Sequence, residues 1–327
     1  MNTIPVYIIS GFLGSGKTTV LINLLQELKR QRKTPGIILN ELGEKNVEKH
    51  LFTDQQVFEL LNGCICCTIQ EDLKLTLKEF AKEAQVKGAD VLLIEGTGVA
   101  NPLEITEALL SPEFFHTYEL KSIISVIDAA NFLEYQSIFS SSKEIRTLLK
   151  DQVAYASSLI VNKTDMADEK KRKKIESKLQ SMLKNKQGNL YFTSYGDVAA
   201  EALLNTAIPI VTLGKNEKSC GCPPDCDGEH VRKHSNHGAF QAVKIENVPS
   251  INQQNFKKWL QSLPSDIIRG KGVVRLAETG QLYDFQYAGK QLNMSKLESN
   301  DEECVIVLIG LQGSTDSLRQ SFESAFL

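Results

Sequence analysis

No apolar run in the 327-residue sequence reaches the roughly 18 residues that a membrane-spanning helix requires. An excess of either charge is also missing. Basic side chains number 37 and acidic ones 40, a net charge of −3, so no electrostatic pull toward nucleic acid or an anionic membrane is expected. The N-terminus lacks the basic stretch of a signal peptide, and a Gly-rich motif starting at Gly11 would be destroyed by cleavage there. The chain is therefore expected to be soluble and cytosolic. It has no internal repeat. It also lacks the spread cysteines of a disulfide framework. Of its seven Cys, three fall at Cys64, Cys66 and Cys67, three at Cys220, Cys222 and Cys226, and Cys304 stands apart. Tight clusters in a reducing compartment read as metal or redox sites.

What is present is an alternation. Short apolar runs at Val6–Ile9, Gly36–Leu39, Gln56–Leu60, Asp90–Ile94, Ser122–Ile127, Ser158–Val161 and Leu190–Thr193 read as buried strands. Helical stretches lie between most of them, at Thr18–Arg32, Glu71–Ala84 and Asp168–Leu183. This pattern predicts an α/β unit over residues 1–212, a doubly wound, mostly parallel sheet covered on both faces. The composition then shifts. Residues 213–238 carry no hydrophobic periodicity and cannot build a core, so they form a linker or inserted loop. Patterning resumes over 239–327: strands at Phe240–Ile245, Gly272–Leu276, Leu282–Tyr287 and Cys304–Ile309, and helices at Gln253–Gln261 and Ser314–Ala325. That predicts a smaller C-terminal α+β domain.

Gly11-Phe12-Leu13-Gly14-Ser15-Gly16-Lys17-Thr18 fits the phosphate-binding loop G-x-x-x-x-G-K-[ST], with a strand before it and a helix after it. Glycines let backbone N–H groups turn inward around phosphates, Lys17 reaches the β- and γ-phosphates, and the Thr18 hydroxyl takes Mg²⁺. Ser15 and Thr19 belong to the same contact set. Asn162-Lys163-Thr164-Asp165 follows a strand end, where doubly wound sheets present loops to ligands. Guanine offers N1–H and N2–H donors that the Asp165 carboxylate can accept and adenine cannot supply, while Asn162 and the Lys163 stem would steady the base. Ser194-Tyr195-Gly196 fits a second base-contacting loop. Glu95-Gly96-Thr97-Gly98 ends another strand; Glu95 can hold the Mg²⁺ shell or position water, and Gly98 can lend an N–H to the γ-phosphate. Lys17, Thr18 and Glu95 are the expected catalytic set.

Cys64, Cys66 and Cys67 follow the strand Gln56–Leu60. In extended backbone Cys64 and Cys66 share a side, and a bend brings in Cys67. Three thiolates suit a soft metal but leave a tetrahedron one ligand short; water, a partner's side chain or Glu44 could complete it. Packing or redox cysteines are the alternative.

Taken together, the phosphate loop, Asn40-Glu41-Leu42-Gly43-Glu44, Gly63-Cys64-Ile65-Cys66-Cys67, Ile94-Glu95-Gly96-Thr97-Gly98 and Asn162-Lys163-Thr164-Asp165 resemble the CobW-like GTPases, relatives of the nickel GTPases of urease and hydrogenase maturation. The resemblance runs through the C-terminal domain, where Arg269–Gly272, Phe285-Gln286 and Ile309-Gly310 fit. It implies a P-loop NTPase fold, a Cys-x-Cys-Cys metal site at Cys64, Cys66 and Cys67, and a nucleotide-responsive loop at Asn40–Lys45. Family members serve zinc, cobalt or iron enzymes.

Cys220, Cys222, Cys226, His230, His234 and His237 fall within 18 residues. That density of soft and borderline ligands suits zinc; His230 and His234 could share a helix face. A solvated linker with incidental ligands is the plain alternative, and a zinc-ribbon nucleic-acid module has neither the charge nor an aromatic platform to support it. Cys304 is expected in the core, and His50 and His116 on the surface. With the resemblance, these features imply a GTP-hydrolysing metallochaperone that uses Mg²⁺ and passes Zn²⁺ to a client metalloenzyme, with Co²⁺ or Fe²⁺ as alternative cargo. A homodimer is left open; nucleic acid and membrane are not expected partners. Rival readings are a cobalt or iron insertion factor for cobalamin or nitrile hydratase maturation, a GTP-controlled zinc sensor or buffer without delivery, and a regulatory GTPase with purely structural cysteines.

Overall fold

The computed structural model describes residues 3–39, 56–59, 69–114, 116–183, 189–208, 210–213, 240–298, 302–311 and 315–327. The described chain divides into two units, one running through Ile208 and one built on Ile210–Leu213 and Gln241–Leu327.

The first unit is a sheet of seven parallel strands: β1 (Ile4–Gly11), β2 (Pro35–Leu39), β3 (Gln56–Glu59), β4 (Val91–Glu95), β5 (Tyr118–Asp128), β6 (Ser158–Asn162) and β7 (Asn189–Phe192), ordered β3-β2-β4-β1-β5-β6-β7. Between them lie α1 (Lys17–Arg30), α2 (Ile69–Lys87), α3 (Pro102–Leu109), α4 (Phe132–Tyr135), α5 (Lys143–Ala154), α6 (Glu169–Leu183) and, after β7, α7 (Ala200–Leu204). Strands β2, β4 and β6 are buried at every position because helices cover both faces of the sheet. Residues alternate accordingly: Ile124, Val126 and Ile160 pack with Val20, Leu21, Leu24 and Leu28 of α1, while Ile127, Leu159 and Val161 pack with Val153 of α5 and Ile175 and Leu179 of α6. On α1 those positions form one apolar stripe at helical spacing. Tyr118 is raised above the ordinary phenol range by burial, so its hydroxyl stays protonated and donates to the Leu77 carbonyl at 2.6 Å. The order of the strands puts β1 at the point where connections leave in opposite directions, and loops at the carboxyl ends of strands there form a crevice suited to ligands.

The second unit is a six-stranded sheet of β8 (Ile210–Leu213), β9 (Phe240–Glu246), β10 (Ile267–Arg275), β11 (Leu282–Ala288), β12 (Gln291–Lys296) and β13 (Val305–Leu311), ordered β12-β11-β10-β13-β9-β8. The β10, β11, β12 and β13 pairings are antiparallel, and β8 with β9 is parallel. Residues 210–212 thus belong to the second sheet rather than the first unit. Helices α8 (Gln253–Ser262) and α9 (Thr315–Phe326) supply Phe256, Trp259, Leu260, Leu318 and Phe322 to a core completed by Val274, Phe285, Ile306 and Leu308. Phe256 meets Phe285 edge to face at 4.9 Å, and the Trp259 indole N–H donates to Ser321 Oγ at 3.0 Å.

Candidate functional site

The phosphate loop joins β1 to α1. Gly11, Gly14 and Gly16 have φ of 142°, 72° and 103°, values that only glycine adopts without strain. Space adds a second demand. A Cβ on Gly11 would stand 2.3 Å from the Val126 carbonyl oxygen, and one on Gly16 would stand 2.4 Å from the Asn162 amide nitrogen. Helix α1 opens at Lys17 with no side-chain cap and no acidic residue in its first turn. Its first N–H groups and the positive end of its dipole are left for an anion. The Ser15 hydroxyl is buried and has no hydrogen-bond partner among the described residues. Lys17 itself is 7% exposed. These features fit a bound phosphate chain.

Glu95, at the end of β4, is also buried and accepts a hydrogen bond from Thr18 Oγ1 at 3.2 Å. The two side chains expected to hold Mg²⁺ therefore meet from separate elements. The turn after Glu95 lies against the phosphate loop: the Gly96 N–H donates to Ile9 O at 2.9 Å, and a Cβ on Gly98 would be 2.5 Å from the Leu13 nitrogen.

Asn162 ties this half of the site to the loops expected to read the base. Its Nδ2 donates to the Ser15 carbonyl at 2.9 Å, and its Oδ1 accepts the Gly196 N–H at 2.8 Å. Asn23 of α1 donates to the Gly196 carbonyl at 2.9 Å. Ser194 Oγ accepts the Asp165 N–H at 3.1 Å and bonds the Thr164 hydroxyl at 3.1 Å, while the Thr164 N–H donates to Thr193 O at 3.0 Å. The loops after β6 and β7 are thereby locked together, leaving the Asp165 side chain exposed. Lys163 has φ of 60° and donates from Nζ to Asp128 Oδ2 at 2.9 Å.

Gly11, Gly14, Ser15, Gly16, Lys17, Thr18, Thr19, Glu95, Gly98, Asn162, Lys163 and Asp165 thus all lie at one end of the sheet, at the carboxyl ends of β1, β4 and β6, in the loops that follow them or in the first turn of α1. The motifs alone do not reveal Asn23 or Asp128, because each acts through a long-range contact. A carboxylate ending an apolar strand, as Asp128 does after Val126-Ile127, is the one local signal.

The expected metal ligands Glu44, Cys64, Cys66, Cys67, Cys220, Cys222, Cys226, His230, His234 and His237 lie outside the described residues, as do Asn40–Lys45 and His50. Among the described residues no group of three or more His, Cys, Asp and Glu converges on a metal position. His116 is exposed, as expected. Cys304 departs from its expectation: it is partly buried at the margin of the second core, because it precedes β13 instead of lying within it. No described helix is long and apolar enough to cross a membrane.

Comparison with known proteins agrees with this geometry. Residues 5–188 match the model of the CobW/HypB/UreG nucleotide-binding domain, and residues 240–326 match the cobalamin synthesis protein cobW C-terminal domain. The chain is similar to zinc-regulated GTPase metalloprotein activator 1 of Dictyostelium discoideum, with 28% identity over 89% of this chain and 67% of that protein. It is also similar to zinc chaperone YjiA of Escherichia coli, with 34% identity over 63% of this chain and 62% of that protein, so the match leaves over a third of the E. coli protein uncovered. A Sinorhizobium zinc chaperone, CobW, is 28% identical over 74% of this chain and 73% of its own length. With both domains matched, the chain belongs to the CobW/HypB/UreG nucleotide-binding family and carries the CobW C-terminal domain.

Proposed function

We propose that this protein binds and hydrolyses GTP and uses the cycle to hold zinc and hand it to a client metalloenzyme. The observation that carries the nucleotide half is the double hydrogen bond of Asn162, which joins the phosphate loop to the loop beside Asp165. A site assembled in this way reads phosphates and base as one ligand. Lys17 would neutralise charge growing on the transferred phosphoryl group, and the first N–H groups of α1 would hold its oxygens. Thr18 and Glu95 would hold Mg²⁺, which when bound supplies charge neutralisation at the β- and γ-phosphates. Asp165 would select guanine.

The metal half rests on Cys64, Cys66 and Cys67, on the Cys- and His-rich linker at 213–238, and on relatives named as zinc chaperones. Zinc here is cargo. Three thiolates, one ligand short of a tetrahedron, would let a client's ligand enter before the old ones leave. Cytosolic residence suits thiolates kept reduced.

The test is a pair of titrations on the full chain: zinc affinity with a non-hydrolysable GTP analogue and with GDP, then analogue affinity with and without zinc. Delivery requires the two nucleotide states to differ, and linkage requires the same factor in both directions, typically about 5- to 150-fold. Equal zinc affinity in both states would reduce the protein to a GTPase that also stores metal.

A further inference from the structure

Asp128 ends β5 beside the nucleotide site and belongs to none of the motifs that define it. It is 6% exposed, and its carboxylate takes three hydrogen bonds. Oδ1 accepts the Ala130 N–H at 2.8 Å; Oδ2 accepts Asn131 Nδ2 at 3.0 Å and Lys163 Nζ at 2.9 Å. The first two donors belong to Asp128's own turn, so the carboxylate is fixed independently of Lys163. The third crosses between neighbouring strands, where Asp128 stands opposite Asn162 in the parallel register of β5 and β6. A turn alone would be served by a neutral asparagine, whereas burying a charge is costly unless a partner answers it. Lys163 is that partner. Its backbone is held in the left-handed region and its Nζ is tethered, so its four-carbon stem is stretched between the ends of β6 and β5. An untethered lysine would sample many rotamers, and ordering it would cost binding free energy.

We propose that Asp128 is a positioning residue for the base: by tethering Lys163 it holds the lysine stem as an apolar wall against one face of the guanine ring. The idea rests on the nucleotide reading above and adds to it a residue that acts only through Lys163.

The experiment is a double-mutant cycle on the full chain with Asp128→Ala, Lys163→Met and the double variant, measuring affinity for a fluorescent GDP analogue and for tripolyphosphate. Asp128→Ala is expected to weaken the GDP analogue about 10-fold, the scale of one lost charge-assisted hydrogen bond, and to leave tripolyphosphate affinity as in the wild type. Lys163→Met keeps the stem without the tether and should lose a similar factor, and the double variant should lose no more than either single one. Fully additive losses would overturn the proposal, as would an equal loss of tripolyphosphate affinity, because Asp128 would then serve its turn alone. Asp128→Asn keeps acceptors for the turn and covers the case in which the alanine variant does not fold; unchanged GDP affinity in that variant would also overturn it. Competition of GDP against ADP on wild-type protein tests the guanine reading separately. Equal competition would sink that reading, and the cycle would still be decided with either diphosphate.

Discussion

Replacing Asn162 by alanine removes a side chain bonded to both the phosphate loop and the loop after β7. Asn162 is 3% exposed, and its partners are the Ser15 carbonyl and the Gly196 N–H. Each lost bond costs about 1 kcal/mol net, and each buried backbone group left unpaired raises that toward ~1–3 kcal/mol. The variant should therefore lose roughly 2–4 kcal/mol of stability, which for a unit of this size lowers Tm by about 4–16 °C. GDP affinity should fall at least ~10-fold, because the two loops must then be ordered by the ligand. Asn162→Asp sharpens the argument. Its carboxylate can still accept the Gly196 N–H but sets an anionic oxygen against the Ser15 carbonyl, which should raise its folded pKa. The stability of that variant should then rise as pH falls through the raised pKa, when the protonated acid can donate to Ser15, and be lost again on return to neutral pH. Thermal unfolding followed by circular dichroism and titration with a fluorescent GDP analogue measure both effects. An alanine variant with Tm within about 1 °C of wild type and undiminished GDP affinity would refute the claim that Asn162 joins the halves of the site.

Three further outcomes are expected. Asp165→Ala should abolish preference for GTP over ATP, a loss of ~1–3 kcal/mol of discrimination by analogy with bidentate base-edge contacts, read by competition between the two nucleotides. Deleting 219–237 should remove one zinc equivalent by metal analysis and spare GTP turnover; an unchanged metal count would make the linker a spacer. Gly36→Ala should destabilise the first unit by ~1–3 kcal/mol in urea unfolding, because its Cβ would stand 2.0 Å from the buried Phe80 ring.

The parallel strands were legible in the sequence because burial on both faces leaves continuous apolar runs such as Val91-Leu92-Leu93-Ile94, where every residue is at most 3% exposed. The strand-end placement of Gly11–Thr18 and of Asn162–Asp165 was legible because each is a local pattern following an apolar run. Elements without that contrast were harder to see. Helix α3 is buried at every position except Glu104, so it shows no polar face and no period. Strand β12 is an edge strand with only Leu292 and Met294 packed on the core, too little alternation to mark it. Strand β10 begins at Ile267, before the Gly272 where its apolar run becomes plain, because Arg269 and Lys271 interrupt the pattern. In the site, Asn162 was legible as a motif member but its two partners were not, since one lies 147 and the other 34 residues away.

Those separations have a consequence for the chain as it is made. The phosphate loop leaves the ribosome early, yet the asparagine that fastens it follows 147 residues later, and Gly196 later still. At ordinary elongation rates of ~5–20 residues per second that is a gap of roughly 7–30 s during which the loop has glycines but no lock. Nucleotide capture by a nascent chain should therefore begin abruptly once β7 and the turn after it have emerged. A ribosome-bound chain ending before Gly196 would ignore GDP, so retention of the nucleotide certifies that the whole sheet has closed.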